Sequence, residues 1–115
     1  MEKALRYNQG KPDYTLIDFQ SLLPMVDVLT YGMVKYTTEN KTGRENWKGI
    51  CENPKQHLES MFRHWMALCG GESLDKESGL PHIGHIMCNA MFYSYHTNIK
   101  YDRENIEKRA IAARK

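Results

Sequence analysis

The stretch "SGLPHIGHIMCNAMFYSYH", Ser78 to His96, sets the fold class. At about 100° per residue, His82, His85, Asn89, Tyr93 and His96 fall within roughly 80° of one another on a helix. Ile83, Ile86, Met87, Ala90 and Met91 form the adjoining apolar stripe. The polar row borders the expected core face rather than opposing it, which is where a helix lines a cleft. The spacing predicts a helix over about Pro81 to Asn98.

The segment before it reads the same way. Asn53 offers an N-cap and Pro54 a first helical position for a helix of about Pro54 to Cys69, ended by Gly70-Gly71. Leu58, Met61, Phe62, Trp65 and Met66 recur as a core face, with Trp65 and the methionines expected inside. His57, Ser60 and His64 make a second polar row, within about 60° of one another. All five histidines of the chain lie on these two helices. The short connection between them favours antiparallel packing with the rows facing each other across a cleft.

Working outward, "PMVDVLTYGMVKY" predicts a helix over about Pro24 to Tyr36, with Met25, Val28, Leu29, Met33 and Tyr36 at helical spacing. Gly32 costs it about 1 kcal/mol relative to alanine, which points to close packing or contact there. "TTENKTGRENWKGICEN" reads as a loop and residues 1–19 as irregular. A final helix of about Asp102 to Arg114 would have Asp102 as cap and Ile106, Ala110 and Ala113 on one face. With no sustained period-2 pattern, the expectation is an all-α, single-domain bundle of about four helices over 1–115. Residues 100–115 form its helical tail.

Composition excludes several classes. Sixteen basic and 14 acidic residues give a net charge of +2, without the concentrated basic stripe of a nucleic-acid-coating protein. Cys51, Cys69 and Cys88 are odd in number and lack CxxC spacing. That argues against a disulfide framework or a structural zinc site and for a reducing compartment. No signal-like segment or membrane-length apolar run is present in the sequence, so a cytoplasmic protein is expected.

Glu59, Glu72, Asp75 and Glu77 are acids near the histidine rows, Arg63 and Lys35 are cations suited to phosphate, and Tyr31, Tyr36 and Trp47 could stack on a base. Each has a plainer reading. A histidine beside an apolar face is often a hydrogen-bonded core-edge residue, and the acids could be a solvated turn.

The segments "RYNQGKPDYTLI", "YGMVKY", "RENW", "HLESMFRHW" and "GESLDKESGLPHIGHIMCNAMF" occur in an order that resembles a phage and prophage family described as dATP/dGTP diphosphohydrolase N-terminal domains. The resemblance covers about Arg6 to Tyr95. It implies kinship with the MazG-like all-α enzymes, which cut a nucleoside triphosphate to monophosphate and pyrophosphate with magnesium or manganese. Those enzymes hold metal with ExxE on one helix and ExxD on the next. Here His82 and His85 stand where the ExxD pair would be, and the preceding helix offers His57, Ser60 and His64 with only Glu59 nearby. Magnesium takes imidazole poorly, whereas manganese accepts it.

The expected site therefore has Glu72, Asp75 and His64 as catalytic groups. Arg6, Lys11, Tyr31, Lys35, Asn46, Trp47, Arg63 and Asn89 are expected to bind substrate, and His82, His85, Glu72 and Asp75 to hold a divalent metal, Mg or Mn. The leading functional expectation is a purine (deoxy)nucleoside triphosphate diphosphohydrolase. The alternatives are a non-catalytic sponge for a nucleotide-derived immune signal and a helical interaction domain with structural histidines. Seven methionines and the aromatic run Phe92, Tyr93, Tyr95 further predict a homo-oligomer.

Overall fold

Four helices form where the apolar spacing requires them in the computed structural model, which describes residues 2–5 and 10–114. They are α1 (Leu23–Lys35), α2 (Lys55–Cys69), α3 (His82–Thr97) and α4 (Ile106–Ala112). Among the described residues there is no strand, only two isolated bridges, Thr38 with Lys41 and Leu74 with Pro81. The protein is all-α.

The ends of the helices follow local chemistry. Pro24 sits in the first turn of α1, where its missing N–H costs nothing. Asn53 accepts from Lys55 N–H at 3.2 Å at the start of α2. Gly71 takes φ +93° just beyond its end, and Asn98 closes α3 in the left-handed region at φ 45°. The final helix is shorter than expected. Asn105, not Asp102, is its cap residue. Asp102 instead ties the preceding turn together, accepting from Glu104 N–H, Asn105 Nδ2 and Arg109 Nη1.

The chain divides into two compact units. Asp18–Ile99 contains α1, α2 and α3. The other unit comprises the described parts of Met1–Ile17 and Lys100–Lys115, with a 3-10 turn at Tyr14–Leu16 and α4, whose residues are exposed.

Within Asp18–Ile99, α3 packs along α2 and crosses α1. The crossing is close because Gly84 presents no side chain: a Cβ there would stand 2.4 Å from Pro24 O. The buried residues include Val28, Gly84 and Cys88 together with two polar ones, His82 and Asn89. Gly32, expected at a close contact, has nothing within 4 Å of a Cβ position.

Two core expectations are corrected. In α3 the polar row is itself packed, while Ile83 and Ala90 of the neighbouring stripe are exposed. The small Gly84 and Cys88 flank the row on the side away from Ile86 and admit α1 there, so the packed arc shifts onto His82 and Asn89. In α2 the histidine row turns toward α3 and carries half-buried Leu58, Met61 and Leu68 with it. Phe62, Trp65 and Met66 are instead 61%, 51% and 55% exposed. Tyr36, beyond the end of α1, is exposed as well.

Candidate functional site

The two histidine rows do face each other, and they touch. The His64 and His85 rings stack at 4.3 Å with an interplanar angle of 4°. His64 Nδ1 lies 2.8 Å from His82 Nδ1, so one proton is held between the two atoms. His82 Nε2 donates to Glu72 Oε1 at 2.8 Å, leaving His82 Nδ1 as the inward-facing lone pair. The result is a continuous line, Glu72–His82–His64, with His82 only 3% exposed. Contact between the rows closes the cleft expected between α2 and α3.

The acidic connection before α3 is folded, not merely solvated. Asp75 N–H donates to Leu80 O, Gly79 N–H to Asp75 O and His82 N–H to Ser73 O, each at 2.8 or 2.9 Å. Asp75 Oδ2 accepts from Ser78 N–H at 3.0 Å and Ser78 Oγ at 2.9 Å. Ser78 Oγ, having donated its proton, accepts from His85 Nε2–H at 2.8 Å. His85 Nδ1 is thereby left as an acceptor.

These environments set protonation. Burial, followed by the neighbouring His85, holds the His64 imidazole below its ordinary pKa despite Asp75. Burial also lowers His85, with Asp75 opposing. For Asp75 burial pushes the other way, but the two Ser78 hydrogen bonds and the nearby histidines outweigh it and hold the carboxyl below its usual range.

The open cleft lies on the α1 side of this network. Its volume is about 300 Å³, between α1 and the 43–47 segment, with Ser60, His85 and Phe92 completing its lining. Tyr31, Lys35, Asn46 and Trp47, all expected to bind substrate, line it. Gly43 fixes the loop against the end of α1, since a Cβ there would stand 2.3 Å from Met33 O. Trp47 stacks on Phe92 at 4.8 Å, so one of its faces is already covered. Lys35 reaches Glu77 at 3.3 Å, with both side chains largely exposed.

Arg63 and Asn89 are not part of the cleft lining. Arg63 is exposed, and Asn89 is buried, donating to His85 O at 2.9 Å. Lys11 belongs to the other unit, and Arg6 lies outside the described residues. Sequence reasoning missed Arg44, which lines the cleft and has no side-chain hydrogen bond or ion pair among the described residues. Its place in the "RENW" motif was the available signal.

Donor atoms of His64, Asp75 and His82 lie within 4.8 Å of one another. His85, expected as a ligand, is engaged with Ser78, and Glu72 orients His82 from outside. Two imidazoles and one carboxylate suit manganese or another transition ion better than magnesium.

A family model described as "dATP/dGTP diphosphohydrolase, N-terminal" matches residues 1–109. The chain belongs to this family. A dATP/dGTP diphosphohydrolase of Salmonella phage PMBT28 is 32% identical over 89 residues, 77% of this chain. The chain spans 28% of the length of that diphosphohydrolase relative. No solved structure matches. No helix among the described residues is long and apolar enough to cross a membrane.

Proposed function

We propose that the chain binds a purine deoxynucleoside triphosphate in the α1 cleft and, with water, converts it to the monophosphate and pyrophosphate. The observation that carries this reading is the double position of His85, which lines the cleft and stacks on His64 of the histidine–carboxylate network. A bound nucleotide would thus meet the reactive groups at the floor of its own pocket. The family name and the phage relative supply the reaction class.

The residues divide the work by chemistry. Tyr31 and Tyr36 give aromatic surface for the base, and Arg44 and Lys35 give positive charge for the phosphates. His85, uncharged near neutral pH and with Nδ1 unprotonated, can accept the proton of an attacking water. A divalent ion would be held by His64, His82 and Asp75, and would polarise a phosphate oxygen and acidify water.

One observation favours the sponge reading: the two carboxylates nearest the histidines are already bonded within the chain, Glu72 to His82 and Asp75 to Ser78. Incubating purified protein with dATP or dGTP and Mn²⁺, then analysing all recovered ligand, separates the two. Monophosphate and pyrophosphate in equal amounts support hydrolysis. Intact nucleotide recovered from the protein supports sequestration.

The same proposal includes a cytoplasmic location, with the nucleotide pool, and a homo-oligomer. The exposed Phe62, Trp65 and Met66 stripe, beside a hollow lined by Leu58, Met61, Phe62, Trp65 and Ile86, is the surface a second copy would cover. Light scattering at micromolar concentration tests it: a multimer mass that falls to the monomer in Trp65→Glu is expected, and a monomer mass for the unaltered chain overturns it.

A further inference from the structure

A second cluster of metal-ligating side chains lies at the opposite end of the α2–α3 pair from His82. Cys51 precedes α2, His57 is in its first turns, and His96 is in the last turn of α3. Donor atoms of the three lie within 4.8 Å of one another. Cys51 Sγ is 3.7 Å from His57 Nε2, and the two imidazoles stack at 5.4 Å with an angle of 11°. All three side chains are half-buried, so the cluster is sheltered but reachable.

A hydrogen bond beside the cluster orients one of its lone pairs. His96 Nε2 must donate to Trp47 O at 2.6 Å, because a carbonyl only accepts, and this leaves His96 Nδ1 unprotonated in the neutral ring. An outer partner of this kind, a backbone carbonyl, is what holds a metal-bound imidazole in one tautomer.

We propose that Cys51, His57 and His96 form a zinc site, distinct from the histidine–carboxylate network. One thiolate and two imidazoles suit zinc in preference to magnesium or calcium. Binding releases the Cys51 thiol proton to solvent and leaves the fourth coordination position to water, in a hollow of about 370 Å³ that Glu52 and Gln56 also line. The metal would pin the 46–51 segment to α2 and α3. Because Asn46 and Trp47 of that segment also line the α1 cleft, zinc would order one wall of it.

Cobalt(II), a spectroscopic substitute for zinc, tests the site on the full chain. Titration is expected to give a sulfur-to-cobalt charge-transfer band that saturates at one equivalent, is displaced by Zn²⁺ and is lost in Cys51→Ser. The absence of a charge-transfer band in the folded unaltered protein, or its persistence in Cys51→Ser, overturns the assignment. Alkylation of the unaltered protein keeps the test independent of how that variant folds. Zn²⁺ should protect Cys51 from iodoacetamide and leave the exposed Cys69 reactive. Equal labelling of Cys51 with and without Zn²⁺ contradicts the site. Neither readout depends on nucleotide turnover, so the outcome stands apart from the proposed hydrolysis.

Discussion

Replacing Gly84 by alanine puts a methyl group 2.4 Å from Pro24 O, 2.7 Å from Pro24 C and 3.0 Å from Val28 Cγ2. Two of those atoms are backbone, so no side-chain rotation relieves the overlap and α1 must move away from α3. Overpacking of this kind costs about 1–3 kcal/mol, and rigid neighbours put it at the upper end, about 3. Alanine returns about 1 kcal/mol through its better helix propensity. The net loss is about 2 kcal/mol, or roughly 8 °C at about 4 °C per kcal/mol for a chain of this size. Gly32→Ala is the matched control, since nothing stands within 4 Å of its Cβ position. It should gain about 1 kcal/mol and melt roughly 4 °C higher. Thermal unfolding followed by circular dichroism reads both. A Gly84→Ala protein that melts at or above the unaltered temperature would refute the close α1–α3 crossing.

His82→Ala should cost about 1–3 kcal/mol of stability by leaving His64 Nδ1 and Glu72 without their partner, more than a residue bordering the core would cost; denaturant unfolding checks it. His85→Ala, by contrast, should abolish nucleotide binding or turnover while the fold persists, and a fully active variant would count against the cleft. Arg44→Ala should weaken nucleotide affinity about tenfold, the equivalent of about 1.4 kcal/mol, with unfolding changed by less than about 0.5 kcal/mol; calorimetry and melting on one sample decide it. Stability should fall on acidification in two stages. His64 and His85 have folded pKa values below the unfolded 6.5, so the unfolded chain binds more protons and stability is lost as pH drops below that value. Asp75, lowered below 3.8, contributes stability present above its unfolded value and lost as pH falls through the folded one, which denaturation midpoints across pH would register.

Helix positions were legible because apolar spacing and caps are local properties. Pro24, Pro54 and Gly70-Gly71 mark ends that the structure places within about two residues. Which side of each helix is packed was not legible. The periodicity of Phe62, Trp65 and Met66 is that of a core face, but Gly84 and Cys88 decide where α1 crosses, and a small residue carries little periodic signal. The candidate site shows the same division. The facing of the rows followed from two helices and a short connection. The pairing of His64 with His82 depends on a tertiary hydrogen bond across 18 residues, while the bond of Ser78 to Asp75 is a local turn contact three residues long that hydrophobic periodicity does not register. The Cys51–His57–His96 cluster joins positions too far apart for any spacing rule.

The most direct test of the α1 cleft is a structure of the chain with Mn²⁺ and a dGTP analogue that resists hydrolysis. The expected density has the base against Tyr31 and Tyr36, phosphates toward Arg44 and Lys35, and His85 within hydrogen-bond reach of a phosphate oxygen or its attacking water. Nucleotide density elsewhere on the protein, with the cleft between α1 and the 43–47 segment empty, would contradict the proposed site.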